Sequence, residues 1–169
     1  TKWFDTNYHY LAPELSASQQ FRLTQNTPLA VLREAQAQGL PARPVLIGPL
    51  TFLRLSRMTD GSSPLALLDR LLLVYEQVVG ELAGADAEWI QLDEPILATD
   101  CTAEDLDALQ RAYARLSAAA GDAMLLVQTA YGDVGDAYAA LVGLPVAGIS
   151  LDFSARGARN LDLLQQHGF

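Results

Sequence analysis

The chain has few of the side chains that metal and redox sites require. Its 169 residues include one cysteine, Cys101, and two histidines, His9 and His167. A single cysteine excludes an intrachain disulfide, and such a chain suits a reducing cytoplasm. Catalytic zinc needs three converging His, Cys or carboxylate ligands, and these three residues lie far apart in the sequence. We therefore predict a cytoplasmic chain that holds no metal and no cofactor of its own.

Positive charge and long apolar runs are also scarce. Eleven Lys and Arg residues stand against 20 Asp and Glu residues, so the net charge is -9. Nucleic acids and anionic membrane surfaces are bound by clusters of Lys and Arg. No segment approaches the roughly 18 to 20 consecutive apolar residues of a membrane-spanning helix. The composition therefore predicts neither a nucleic-acid nor a membrane partner, although one lysine is enough to contact a small anionic ligand.

The apolar content predicts a folded domain. Hydrophobic residues make up 50% of the chain, enough for one compact domain with a core. We treat residues 1–169 as that single domain. The chain opens on Thr1 and Lys2, with neither an initiator methionine nor a signal peptide. We therefore expect it to be a piece of a longer protein.

Strand and helix signals alternate along the whole chain. Helix starts are indicated at Thr27-Pro28, at Ser63-Pro64 and at Thr102, where Asp105 completes a capping-box pattern. Shorter helices are predicted after residue 134 and over residues 161–166. The predicted strands cover residues 3–10, 43–49, 88–95, 123–131 and 146–153.

The predicted strands are almost continuously apolar, which is typical of parallel strands buried on both faces. A doubly wound open sheet and a (β/α)8 barrel both fit this order. No G-x-G-x-x-G follows the first predicted strand, which weakens the nucleotide-binding open sheet. A whole barrel needs roughly 250 residues. We therefore favour an α/β fold that is a partial (β/α)8 TIM barrel with about five parallel strands, whose exposed strand edges could lead to self-association.

Polar residues follow the apolar strands, where parallel strands place their ligand sites. Three of these polar residues also have a purely structural interpretation. His9 could be a packing residue, Glu94 could cap a loop or pair with an arginine, and Asp152 could cap a turn. Cys101 has no histidine near it in sequence, and we treat it as inert. The candidates for the mouth of the barrel are Asn7, His9, Asp93, Glu94, Gln128 and Asp152.

Three segments resemble one enzyme family in order along the chain. They are "TKWFDTNYHYLAPEL", "RPVLIGPLTFLRLSR" and "EWIQLDEP", and they are similar to the cobalamin-independent methionine synthases. The resemblance implies two (β/α)8 barrels with an active site between them. In that family the C-terminal barrel carries zinc on an H-x-C motif. Here Gln128, Thr129 and Ala130 stand at that place, so the chain resembles the N-terminal, zinc-free barrel.

The resemblance also implies an activity for the parent protein. That protein would transfer a methyl group from 5-methyltetrahydropteroyltriglutamate to homocysteine, with zinc in its C-terminal barrel. Lys2 matches the lysine that contacts the folate polyglutamate, and no catalytic residue is expected in this chain, which alone should be inactive. The partners implied are the folate polyglutamate and the C-terminal barrel of the same polypeptide. Two alternatives remain: a stand-alone binding module, and a uroporphyrinogen-decarboxylase-like barrel with Asp93 or Asp152 as its acid.

Overall fold

A four-stranded parallel sheet forms the centre of the structure, a computed structural model that describes residues 1–168. The described residues form the strands β1 (Glu14–Leu15), β2 (Val45–Ile47), β3 (Arg57–Met58), β4 (Trp89–Asp93), β5 (Met124–Gln128) and β6 (Gly148–Ser150). The central sheet contains β2, β4, β5 and β6, while β1 and β3 pair with each other in a separate two-stranded parallel sheet. The helices are α1 (Thr27–Ala37), α2 (Pro49–Arg54), α3 (Leu68–Ala83), α4 (Ala103–Ala120), α5 (Tyr138–Val142) and α6 (Arg159–His167). Short 3-10 turns lie at Pro64–Leu67, Pro95–Ala98 and Gly135–Ala137.

The strands of the central sheet stand side by side in the order in which the chain makes them. β2 pairs with β4, β4 with β5 and β5 with β6, all in parallel. Each crossover between them contains at least one helix, as parallel pairing requires. The predicted α/β class, with parallel strands alternating with helices, is confirmed. Within residues 1–168 the sheet does not close, because β2 and β6 are its edge strands.

The first predicted strand is wrong. Residues 1–10, which we name the N-terminal hairpin, form a turn closed by an isolated antiparallel bridge between Lys2 and His9. The N–H of Trp3 donates to the carbonyl of Tyr8 at 2.8 Å, and the hydroxyl of Thr6 donates to the carbonyl of Trp3 at 2.6 Å. Polar side chains that bond the local backbone in this way favour turns over sheet ladders.

The predicted helix starts hold, with small shifts at the ends. α1 begins at Thr27, but its cap is Asn26, whose side chain accepts from the N–H of Leu29. α4 has the predicted capping box, in which Thr102 and Asp105 each bond the backbone of the other. These caps satisfy N–H groups that a helix leaves without partners at its start.

The core lies between one face of the sheet and the helices. Ile90, Leu92, Leu125 and Val127 point to this face, and each is at most 3% exposed. They join a single cluster with leucines and valines of α3 and α4. The opposite face is less covered at β2, where Val45 and Ile47 stay largely exposed. Among residues 1–168, no helix is both long and apolar enough to cross a membrane.

Candidate functional site

The carboxyl ends of the parallel strands form one edge of the sheet. Asp93 is the register partner of Ile47 on one side and of Gln128 on the other. Gln128 in turn pairs with Ser150, and Asp152 follows two residues later. The structure therefore brings Asp93, Gln128 and Asp152 to the same edge, as the parallel arrangement predicts.

The N-terminal hairpin docks on the same edge. The indole N–H of Trp3 donates to the hydroxyl oxygen of Tyr131 at 3.0 Å, and Tyr131 lies in the loop after β5. Arg156, in the loop after β6, pairs with Asp5 at 2.6 Å. These contacts fix the hairpin, although Lys2, Asn7 and His9 are themselves exposed. The three residues therefore belong to a loop that is docked at this edge, and not to a strand of the sheet.

A small polar network lies at this edge, on the face of the sheet that points away from the helices. The side-chain amide of Gln91 donates to Asp93 Oδ1 at 2.7 Å and to Gln128 Oε1 at 2.8 Å. Gln91 is 5% exposed, and its Oε1 is buried without a donor. Gln91 is not among the residues predicted for this edge, although a polar residue two positions before Asp93 must share its face of the strand. The network holds Asp93 and Gln128 in fixed positions.

Asp152 forms a turn. Its Oδ1 accepts from the N–H of Ser154 at 2.7 Å. Hydrogen bonding by the Ser154 side chain and backbone lowers the pKa of Asp152. A carboxyl group with a lowered pKa is a poor proton donor near neutrality. This geometry favours the structural interpretation of Asp152 and disfavours its use as a catalytic acid.

The structure contradicts the prediction that Glu94 lies at the mouth of the barrel. It is fully buried, and its carboxyl group points to the start of α2. It accepts from the N–H groups of Leu50 and Thr51 at 3.2 and 2.7 Å, and from the hydroxyls of Thr51 and Tyr113 at 2.6 and 3.2 Å. Neighbouring residues of a strand point to opposite faces, so Asp93 and Glu94 part at the strand end. Glu94 thus connects β4 to α2 and α4.

Burial of Glu94 predicts that stability falls as pH rises. Desolvation raises the pKa of Glu94 to about 7, although its hydrogen bonds to Thr51, Leu50 and Tyr113 act in the opposite direction. The folded state therefore retains a proton that the unfolded state releases above its ordinary pKa of 4.5. The free energy of unfolding should decrease between about pH 5 and pH 7, by at most about 3 kcal/mol.

Urea unfolding at pH 5 and pH 8 measures this effect. In the variant Glu94→Gln the titrating group is absent, so the decrease across this interval should be smaller. Asp105 and Asp152, whose pKa values are lowered, contribute stability that is lost only at lower pH. An unchanged slope in Glu94→Gln would contradict the assignment to Glu94.

A polar cleft of about 640 Å³ lies beside the hairpin, between the segments that follow β4, β5 and β6. Its lining includes Thr99, Cys101, Tyr131, Asp133, Arg156 and Arg159. Arg159 pairs with Asp133 at 3.7 Å. Burial raises the pKa of the Cys101 thiol to about 11, so this thiol is a weak nucleophile, as the sequence predicts. None of the predicted mouth residues lines the cleft.

Asn160 holds together the loops that form this cleft. It is fully buried. Its amide donates to the carbonyls of Asp152 and Gly132 at 2.7 and 3.3 Å, and its Oδ1 accepts from the N–H of Val134 at 3.0 Å. The sequence does not indicate this role of Asn160, because a single asparagine at the start of a helix carries no signal of such distant contacts.

The residues present do not fit a zinc site. Across residues 1–168, no group of three or more His, Cys, Asp or Glu side chains is arranged to hold a metal ion. His9 is exposed on the hairpin, and His167 lies at the end of α6. The end of β5 and the residues after it offer Gln128 and Thr129, which are not soft zinc ligands.

Comparison with known proteins decides the family. A sequence model of the family described as "Cobalamin-independent synthase, N-terminal domain" matches residues 1–169. The chain belongs to this family. The cobalamin-independent synthase family is the one that the three sequence segments indicate, and the decarboxylase alternative gains no support.

Three curated relatives of this chain share one name, 5-methyltetrahydropteroyltriglutamate–homocysteine methyltransferase. The relative from Streptomyces coelicolor is 47% identical over 172 residues, which is 99% of this chain and 22% of that protein. The relative from Caulobacter vibrioides is 51% identical over 153 residues, 90% of this chain and 20% of that protein. The relative from Xylella fastidiosa is 46% identical over 162 residues, 96% of this chain and 21% of that protein. The chain thus spans about a fifth of the length of these relatives.

Proposed function

We propose that this domain is part of a longer enzyme that transfers a methyl group from 5-methyltetrahydropteroyltriglutamate to L-homocysteine. The observation that carries the proposal is the match of the family over residues 1–169, together with relatives at 46 to 51% identity that bear this activity in their name. The domain's own share is to help bind the folate polyglutamate and to support a C-terminal barrel.

The four-stranded sheet is, in this proposal, a sector of an N-terminal (β/α)8 barrel. Consecutive strands pair in chain order, as they do around a barrel. Val45 and Ile47, on the face away from the helices, are 49% and 39% exposed. Barrel interiors are filled by inward-pointing apolar side chains, so further strands would cover this face. Where those strands are missing, the same face supports self-association of the isolated domain.

Lys2 is the residue through which the domain would contact the folate tail. It is the single lysine of the chain, and it is exposed on a hairpin docked at the carboxyl edge. A polyglutamate tail is a row of carboxylates. A flexible ammonium group can follow such a tail more easily than a group fixed in one geometry.

The other edge residues would shape the barrel mouth and take no part in the chemistry. Three of them, Asp93, Gln128 and Asp152, lie at the ends of the strands, and two, Asn7 and His9, lie on the docked hairpin. Glu94, in contrast, connects β4 to α2 and α4. Zinc, which would activate the thiol of homocysteine, belongs to the C-terminal barrel in this proposal. The present chain would supply no ligand to it.

In the complete polypeptide, Lys2→Ala should weaken folate binding and leave the zinc content intact. One exposed charged contact is worth at most about 1 kcal/mol, so KM for the triglutamate folate should rise up to about fivefold. Steady-state kinetics and metal analysis measure the two quantities. Arg43→Ala is the matched control, since Arg43 is an exposed cation at the opposite, amino end of β2. The isolated chain, assayed alongside with added zinc, should give no turnover.

Two results would contradict this proposal. Turnover by the isolated chain would show that the second barrel is dispensable. Equal losses of folate affinity and zinc content in Lys2→Ala would show that Lys2 is structural.

A further inference from the structure

Two strained residues meet where the N-terminal hairpin docks. Phe4 and Tyr131 have φ values of 47° and 72°, in the left-handed region. Their rings stack on each other, with centroids 5.3 Å apart and planes 18° from parallel. A left-handed backbone is unfavourable for a residue with a side chain. Such strain persists only where the surrounding contacts hold it, and here the two residues hold each other.

Tyr131 is the main contact between the hairpin and the sheet edge. Its ring stacks on Phe4, and its hydroxyl oxygen accepts from the indole of Trp3. Trp3 also meets the ring of Tyr10 edge to face, with centroids 5.5 Å apart. The second docking contact, Asp5 with Arg156, is an exposed ion pair, and such pairs contribute little. The hydroxyl of Tyr10 anchors the far end of the hairpin by donating to the carbonyl of Leu55 at 3.2 Å. At the sheet edge itself, the position of Lys2, next to Trp3 in the chain, depends chiefly on Tyr131.

We propose that Tyr131 is a positioning residue for folate recognition: it holds the N-terminal hairpin so that the Lys2 ammonium meets the glutamate tail of the substrate. The inference rests on the proposed function, because it assigns Tyr131 a role through Lys2. It makes no claim that Tyr131 touches the reacting atoms. A positioned ammonium gains more from a multiply charged tail than from one carboxylate, so loss of positioning should show as lost preference for the longer tail.

The test uses the complete polypeptide and compares the triglutamate with the monoglutamate of 5-methyltetrahydrofolate. Tyr131→Asn removes the ring, and asparagine tolerates the left-handed backbone. Tyr131→Phe keeps the stacking on Phe4 and loses only the acceptor for Trp3. Together with Tyr131→Asn, the variants Lys2→Ala and Tyr131→Asn/Lys2→Ala form a double-mutant cycle. Leu73→Asn on the outer surface of α3, where Leu73 is 63% exposed, is the matched control.

We expect Tyr131→Asn to raise KM for the triglutamate about fivefold, the size of one exposed charged contact, with kcat unchanged. KM for the monoglutamate should change less, and the double variant should be no worse than Lys2→Ala alone. Tyr131→Phe should lie between Tyr131→Asn and the unmodified enzyme, and Leu73→Asn should match the unmodified enzyme.

Four results would overturn the inference. Equal rises in KM for both tail lengths, or additive effects in the double variant, would show that Tyr131 acts independently of Lys2. An effect of Lys2→Ala without any effect of Tyr131→Asn would reject the positioning role while leaving the proposed function intact. No effect of Lys2→Ala on either substrate would reject both.

Discussion

Glu94→Ala should lower the free energy of unfolding by about 3–5 kcal/mol, because it leaves buried donors without an acceptor and opens a cavity. The N–H groups of Leu50 and Thr51 would lose the carboxylate to which both donate. Neither group lies near water, since Leu50 and Thr51 are at most 1% exposed. The hydroxyl of Tyr113, fully buried in α4, would lose its acceptor as well.

Urea unfolding of the domain at pH 7 measures this loss. Glu88→Ala is the matched control, since Glu88 lies just before the other end of β4 and is exposed. Its effect should stay within about 0.5 kcal/mol. One ordinary hydrogen bond contributes about 1 kcal/mol. A smaller loss than this in Glu94→Ala would show that the site relaxes and that Glu94 does not hold β4 against α2 and α4.

Gly48→Ala should cost about 3 kcal/mol, the upper end of the range for overpacking a core. Gly48 lies between β2 and α2 with an ordinary extended backbone, so conformational freedom is not what the position requires. The added Cβ would overlap the carboxyl group and the Cγ of Glu94. Because Glu94 is held by its donors, it cannot move aside without losing them.

The pairing of Gly48 with Glu94 can be tested by a double variant. In Gly48→Ala/Glu94→Ala the overlap is gone, so the combined loss should be clearly smaller than the sum of the two single losses. Gly80→Ala is the matched control. Gly80 lies inside α3, where an added Cβ would meet only a carbonyl oxygen at 3.7 Å; alanine there should be neutral or slightly stabilising. Additive losses would place the effect of Gly48→Ala elsewhere.

The sequence predicts the central sheet because its signals there are local. The strands over β2, β4, β5 and β6 are apolar runs that stop at polar residues or, for β2, at Gly48 and Pro49. The capping box of Thr102 and Asp105 is likewise a pattern within four consecutive residues. The strand predicted over residues 3–10 is wrong for a reason that is also local. Their aromatic content resembles a strand, but the local bonds of Thr6 and the left-handed Phe4 produce a turn.

The candidate site is only partly predictable. The edge that gathers Asp93, Gln128 and Asp152 follows from parallel pairing alone. The opposite fate of Glu94 follows from strand alternation, since adjacent residues cannot share a face. What occupies that buried side, however, depends on α2 and α4. Likewise, the docking of Trp3 on Tyr131 joins residues 128 positions apart, and no local pattern specifies such a contact.

The chain-order pairing of the central strands has a consequence for biosynthesis. Within the central sheet, β4, β5 and β6 each pair with the strand of that sheet that precedes them in the chain. The chain is synthesised from its amino terminus, and each of these pairings closes over a β/α unit that has just been made, so the entropy of closure grows only slowly with the length of the connection. The central sheet can therefore extend one strand at a time during translation, as each later strand pairs with one that is already made.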